Sequence, residues 1–175
     1  MKIVVNDQFS LSEFQVSDKL ALIQHLNDRD IYDRTLRIPF PYTNTAADEW
    51  LALVARITEQ QGRPLHFAIR SADDALIGGC GFDDFQVGKS HRGEIGYWLA
   101  KPFWGRGIMT AVVHRVRKHA FDEFGLVKVT AHVFLHNPAS ARVLEKCGFH
   151  EEGFLRKHYL KDGQFIDARL FALLR

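Results

Sequence analysis

Residues 93–119 read GEIGYWLAKPFWGRGIMTAVVHRVRKH, and this stretch sets the plan of the chain. Ile95, Tyr97 and Leu99, with Trp98 between them, form a short apolar strand that runs through Lys101-Pro102 into the turn Gly105-Arg106-Gly107. A helix follows at once, with Ile108, Val112, Val116, Ala120 and Phe124 spaced every fourth residue and Gly125 placed to stop it. Strand, glycine turn and helix together make an anion cradle. The glycines let backbone approach a ligand, and the first amides of a helix have no internal partners, so they and the helix dipole favour a negative group such as a phosphate.

Outward from this stretch, the sequence predicts a meander before it and a crossover after it. Pro64–Arg70 and Ala75–Phe85 read as strands joined by the polar turn 71–74, and another turn at 88–92 leads into the strand beginning at Gly93. After the helix, Leu126–Leu135 is rich in β-branched residues, and a right-handed crossover makes it parallel to the first strand. Asn137 is expected to cap a further helix, with Pro138 in its first turn, Leu144 inside and Gly148 at its end. The tail forms two strands, Phe149–Leu160 and Gln164–Leu174, around Lys161-Asp162-Gly163, whose Asp-Gly pair is a hairpin signal.

Toward the N-terminus, an edge strand is expected around Phe9–Phe14. Ser17-Asp18 is expected to cap a helix carrying Leu20, Ile23 and Leu26 on its apolar face. Residues 29–44 are aromatic, broken by proline and read as an irregular loop, in which Phe40 and Tyr42 either line a pocket or plug the core edge. Thr45-Ala46-Ala47-Asp48 resembles a capping box before a helix with Trp50, Leu51, Val54 and Ile57 on one face. With no repeat or linker, the economical architecture is a single α+β domain over residues 1–175. It has a mixed, mostly antiparallel sheet of six or seven strands and about four helices.

Composition narrows the function. The 175 residues are 46% hydrophobic and 25% charged, as in an ordinary soluble globular protein, and can bury a proper core. A formal net charge of +2 is too small for a nucleic-acid footprint. No apolar run approaches the roughly 18 residues of a membrane span, and the N-terminus lacks a signal-peptide core, so a cytoplasmic protein is expected. Cys80 and Cys147 are far apart without metal-type spacing and read as reduced, buried thiols.

The strand Glu94-Ile95-Gly96-Tyr97-Trp98-Leu99, the turn Trp104-Gly105-Arg106-Gly107-Ile108-Met109-Thr110, and Asn137-Pro138-Ala139-Ser140 with Gly148-Phe149 together resemble the GCN5-related N-acetyltransferase (GNAT) family. Within it, the match looks closest to the RimJ/RimL group of ribosomal-protein N-terminal acetyltransferases. The resemblance spans residues 3–174 and implies acetyl-CoA as donor and co-substrate, with its pyrophosphate on the backbone amides from Gly105 to Thr110, including Arg106, Gly107 and Met109. Trp104 and Met109 depart from the usual family turn, but backbone donors survive any side chain short of proline. The fold so implied has a central parallel pair that splays to admit the pantetheine arm, which places Trp98 and Leu99 beside it. Asn137 is similar to the family's cofactor-contacting asparagine, and its role as a helix cap does not exclude that one.

Direct transfer needs a base for the acceptor amine, because an α-amine with a pKa of about 8 is mostly charged at neutral pH. Glu94 is the candidate, on the strand that precedes the pantetheine-pairing residues, and the competing reading pairs it with Arg92 or Lys128. Asp83, Asp84 and His136 are the other candidates. Where many family members place a tyrosine for the leaving thiolate, this chain has Leu144. Ser140 matches the serine of the RimJ/RimL group, as a hydrogen-bond donor or proton relay, or as a first-turn serine that satisfies a backbone amide. Cys147 is not expected to be a nucleophile. Acceptors compatible with the pattern are a protein N-terminus, a polyamine or an antibiotic amine, and a non-catalytic acetyl-CoA-binding module is the other reading. No metal is implied, and the protein is expected to act as a monomer or homodimer. A nucleotide-binding α/β domain is poorly supported, since neither a phosphate-loop Lys-Thr/Ser nor a G-x-G-x-x-G occurs.

Overall fold

Short apolar runs punctuated by glycine and aspartate build the sheet, and longer periodic runs build the helices. The computed structural model describes all residues, Met1 to Arg175. In chain order the elements are β1 (Lys2–Val4), β2 (Ser10–Ser12), α1 (Lys19–Leu26), α2 (Arg29–Arg34), α3 (Asn44–Gln61), β3 (His66–Arg70) and β4 (Leu76–Phe82). There follow β5 (Arg92–Leu99), α4 (Ile108–Asp122), β6 (Lys128–Phe134), α5 (Pro138–Lys146), β7 (His150–Lys161) and β8 (Gln164–Leu174). The eight strands are hydrogen-bonded in the order β1-β2-β3-β4-β5-β6-β8-β7. The α+β class and the mostly antiparallel sheet are as expected. The strand and helix totals exceed the expected six or seven and four, because short pieces such as β1 and α2 lack a periodic signature.

The chain divides into two compact units, one of residues 1–81 with 97–108 and one of residues 82–96 with 109–175. In the first, β1 to β4 form an antiparallel meander. Its core gathers Leu22, Leu26, Ile31, Tyr42, Ala47, Ala68 and Leu76, with Phe14, Trp50 and Trp98 packed against them. Here several local expectations give way. Leu20 is 77% exposed and Leu22 is fully buried, so the apolar face of α1 is rotated from the one read in the sequence. Asp18 does not cap α1 by its side chain: its buried carboxylate makes a bidentate pair with Arg70, at 2.5 and 2.7 Å, and accepts from Gln15 N at 2.8 Å in the capping box of the short turn before α1.

Residues 29–44 are not wholly a loop. Asp28 accepts hydrogen bonds from the amides of Asp30 and Ile31 and starts α2. The cap of α3 is Thr43, whose hydroxyl oxygen accepts from Ala46 N at 3.1 Å, so the predicted Thr45 box lies inside the helix. Tyr42 plugs the core at 4% exposure, whereas Phe40 stays 42% exposed.

In the second unit, β6, β8 and β7 form an antiparallel arrangement, with β7 and β8 joined by a tight turn in which Asp162 and Gly163 both take positive φ. That is the geometry an Asp-Gly hairpin turn demands. Val112, Val116 and Ala120 of α4 are buried, as the every-fourth-residue pattern requires, and Val113 is buried beside them. The parallel pairing of β5 with β6 covers only Arg92–Glu94 against Lys128–Thr130, and both strands continue past the last pair.

Candidate active site

The glycine turn is built from the end of β5. Ala100 N donates to Ile77 O at 2.8 Å, and the Trp104 indole Nε1 donates to Leu99 O at 2.6 Å, so Trp104 staples the turn back onto its own strand. Lys101 pairs with Asp30 and lies 3.8 Å from Asp28, fastening the same segment to α2. That pairing holds the Asp30 carboxyl below its usual range and raises the Lys101 ammonium. Gly105 and Gly107 have φ of 75° and 74°, and a Cβ at either would meet nothing within 4 Å. They are needed for backbone conformation and not for room. The turn is exposed, while Ile108 and Met109 are buried at 4% and 8% and seat the start of α4. Met109 therefore has only its backbone to offer a ligand.

Trp98 is placed by glycines. A Cβ at Gly78 would lie 2.6 Å from the Trp98 carbonyl oxygen, and one at Gly79 would lie 2.5 Å from the Trp98 indole nitrogen. The indole thus rests on β4 and joins the core beside Phe14, a role not foreseen from the sequence. Leu99 is buried at 9%.

In the second unit, Glu94 takes neither of the two bases proposed from the sequence. Arg92 pairs with Asp84 at 2.7 Å and Lys128 pairs with Glu152 at 2.6 Å. Glu94 Oε1 lies instead 3.0 Å from His132 Nδ1, with the two side chains 25% and 19% exposed. The ring nitrogen is buried without an aligned hydrogen bond, so the contact is one of charge and proximity. His132 was missed because its pairing with Glu94 depends on strand register. Glu94 opposes Thr130 in the parallel ladder, and His132 follows two residues on, with the same strand parity.

Asn137 caps α5, its side-chain oxygen accepting from Ser140 N at 3.3 Å, and Ser140 is half-buried. Leu144 is fully buried, so no hydroxyl from that position can serve a thiolate. Cys147 is buried, its Sγ 3.4 Å from Thr110 O, and burial pushes its thiol pKa up, which argues against a nucleophile. Asp83 lies beside Gly96, its Oδ2 3.2 Å from where a Cβ would sit. No helix is long and apolar enough to cross a membrane.

Comparison with known proteins identifies the family. A family model described as an acetyltransferase (GNAT) domain matches residues 8–150. The chain is 42% identical over 125 residues to the probable N-acetyltransferase YjcK of Bacillus subtilis, covering 68% of this chain and 69% of that one. It is 28% identical over 127 residues to the Escherichia coli [ribosomal protein uS5]-alanine N-acetyltransferase, covering 71% and 66%. Its fold superposes with a TM-score of 0.90 on RimL, a ribosomal L7/L12 α-N-protein acetyltransferase solved with coenzyme A, at 19% identity over 99% and 98% of the two chains. The family-model match over residues 8–150 and the 42% identity over 68% of the chain define the class as acetyltransferases. The chain belongs to the GNAT family of acetyltransferases and is an N-acetyltransferase.

Proposed function

We propose that residues 1–175 act as a single acetyltransferase domain that moves the acetyl group of acetyl-CoA directly to a primary amine, the N-terminal α-amine of a ribosomal protein. The observation that carries the donor half is the exposed turn with both glycines in the left-handed region at the start of α4, which fits a pyrophosphate. Backbone amides of Gly105, Arg106, Gly107, Met109 and Thr110 hold that group, while Trp98, Leu99 and Asn137 serve the pantetheine arm. The similarity to the uS5-alanine enzyme supports the acceptor half. The reaction belongs in the cytoplasm, where ribosomal proteins are made.

In the reaction, Glu94 accepts a proton from the acceptor ammonium. The neutral amine then attacks the thioester carbon, the C–N bond forms, the C–S bond breaks, and the nitrogen gives its second proton to solvent as the amide forms. Ser140 donates a hydrogen bond to the departing thiolate, which leaves as coenzyme A once protonated by solvent. A general base contributes about 10²- to 10⁴-fold, so Glu94→Gln is expected to lower kcat by about that factor and Ser140→Ala by less.

Thiol release from acetyl-CoA is measured with ribosomal-protein N-terminal peptides, spermidine and an aminoglycoside. Turnover confined to the peptides is expected. Turnover only on a small amine would replace the acceptor, and no turnover on any of them would leave an acetyl-CoA-binding module. Unchanged rates in both variants with a good acceptor would remove these catalytic assignments.

A further inference from the structure

The base proposed above does not stand alone on its strand. His132 Nδ1 is buried, makes no aligned hydrogen bond and lies 3.0 Å from Glu94 Oε1. We infer that His132 is a positioning residue for Glu94, its imidazole orienting that carboxylate and setting the pH range over which it accepts a proton. The inference rests on the catalytic role proposed for Glu94.

The ring is held in place by a dedicated device. The His158 imidazole stacks on it at 5.2 Å between centroids, with the planes 18° apart, and Tyr159 meets it edge-on at 6.1 Å. His158 is presented by a bulge in β7, where the pairing jumps from Leu155↔Ala168 to Tyr159↔Ile166. At the bulge Lys157 takes a φ of 48°, uncommon for a residue with a side chain, and its amide donates to Asp167 Oδ1 at 2.7 Å. On β8 the residue opposite His132 is the apolar Leu170. The neighbouring Arg169 is engaged by Glu145 and Glu151. On the side of Glu94 the other carboxylate is Asp83, beside Gly96. The titratable groups in contact with the His132 ring are His158 and Tyr159, and the ion pairs Arg92–Asp84 and Lys128–Glu152 start from residues with the strand parity of Glu94 and His132.

The chemistry follows from the two forms of the imidazole. As an imidazolium, His132 holds Glu94 in its charged form and makes it a poorer base. Once neutral, it still packs against the carboxylate but no longer drains its basicity. The exchange between the two forms is one ionisation in the rate profile.

The test compares pH profiles of kcat and kcat/KM for the wild type, Glu94→Gln, His132→Ala and His132→Asn with a working acceptor. His132→Ala is expected to lose roughly tenfold in kcat, a fraction of what the base supplies, with the acetyl-CoA KM within about twofold. His132→Asn, whose amide can stand in for Nδ1–H, should recover part of kcat yet lose one ionisation from the rate profile. A direct readout needs no His132 variant: by NMR of ¹⁵N-histidine-labelled protein, the His132 titration midpoint should fall in Glu94→Gln, because the charge favouring the imidazolium is gone. An unshifted midpoint overturns the inference. So does a wild-type rate and profile in both His132 variants while Glu94→Gln is inactive, which would leave the role of Glu94 standing. Wild-type turnover in Glu94→Gln would overturn both.

Discussion

Tyr42 shows what one buried residue contributes. Its ring is 4% exposed in the core of the first unit, its amide donates to Asn27 Oδ1 at 2.8 Å, and burial pushes its phenol up to about 12. In the unfolded chain the phenol titrates near pH ~10. Between those values the folded state binds the proton and the unfolded state does not, so stability is retained below about pH 10 and falls as pH rises toward 12. After allowance for solvent screening, the loss is about 1–2 kcal/mol. Urea titrations at pH 9 and above should show this decline, and Tyr42→Phe should flatten it. An equal decline in both proteins would assign it to other groups.

Among the elements, the glycine turn separates conformational cost from crowding. A methyl group on Gly107 meets nothing within 4 Å, so Gly107→Ala carries only the strain of a left-handed backbone, about 1–2 kcal/mol. Relaxing that strain rotates the amides offered to the pyrophosphate. The expected result is an acetyl-CoA KM raised about tenfold, equivalent to about 1.4 kcal/mol, with the amine KM little changed. A lower melting temperature with an unchanged acetyl-CoA KM would remove the turn from the donor site. Both glycines and the helix after them were legible in the sequence because a turn, its φ and the first helical amides are all local. The helix α2 was not, since six residues between the end of α1 and the segment with Pro39 and Pro41 carry too little periodicity to register. Its start at Asp28 is visible only once the capping bonds are seen.

At the scale of the whole molecule, the first unit depends on a charge pair far apart in sequence. Arg70 of β3 donates to both carboxylate oxygens of Asp18 and, through Nε, to Ser12 Oγ at 2.9 Å, with both charged side chains 5% exposed. Removing one partner leaves a buried charge unmatched. Asp18→Asn should therefore cost about 3–5 kcal/mol in urea unfolding, whereas Asp18→Leu with Arg70→Met should recover most of that loss. A cost below about 1 kcal/mol would mean that water reaches the pair. The sequence offered Asp18 as a helix cap, the role its neighbours in the chain suggest. The competing partner sits 52 residues away.

By itself the sequence determined the glycine turn, the β7–β8 hairpin and the Asn137 cap, because each is written in spacings over a few residues, and the class of fold and the family came through the resemblance of its motifs. The tertiary structure alone decided the partners: Arg70 for Asp18, β4 glycines for the Trp98 indole, and His132 in place of Arg92 or Lys128 for Glu94. Strand parity gives the face on which a side chain lies. Which residue meets it there depends on a register set across α4, and no local pattern encodes that.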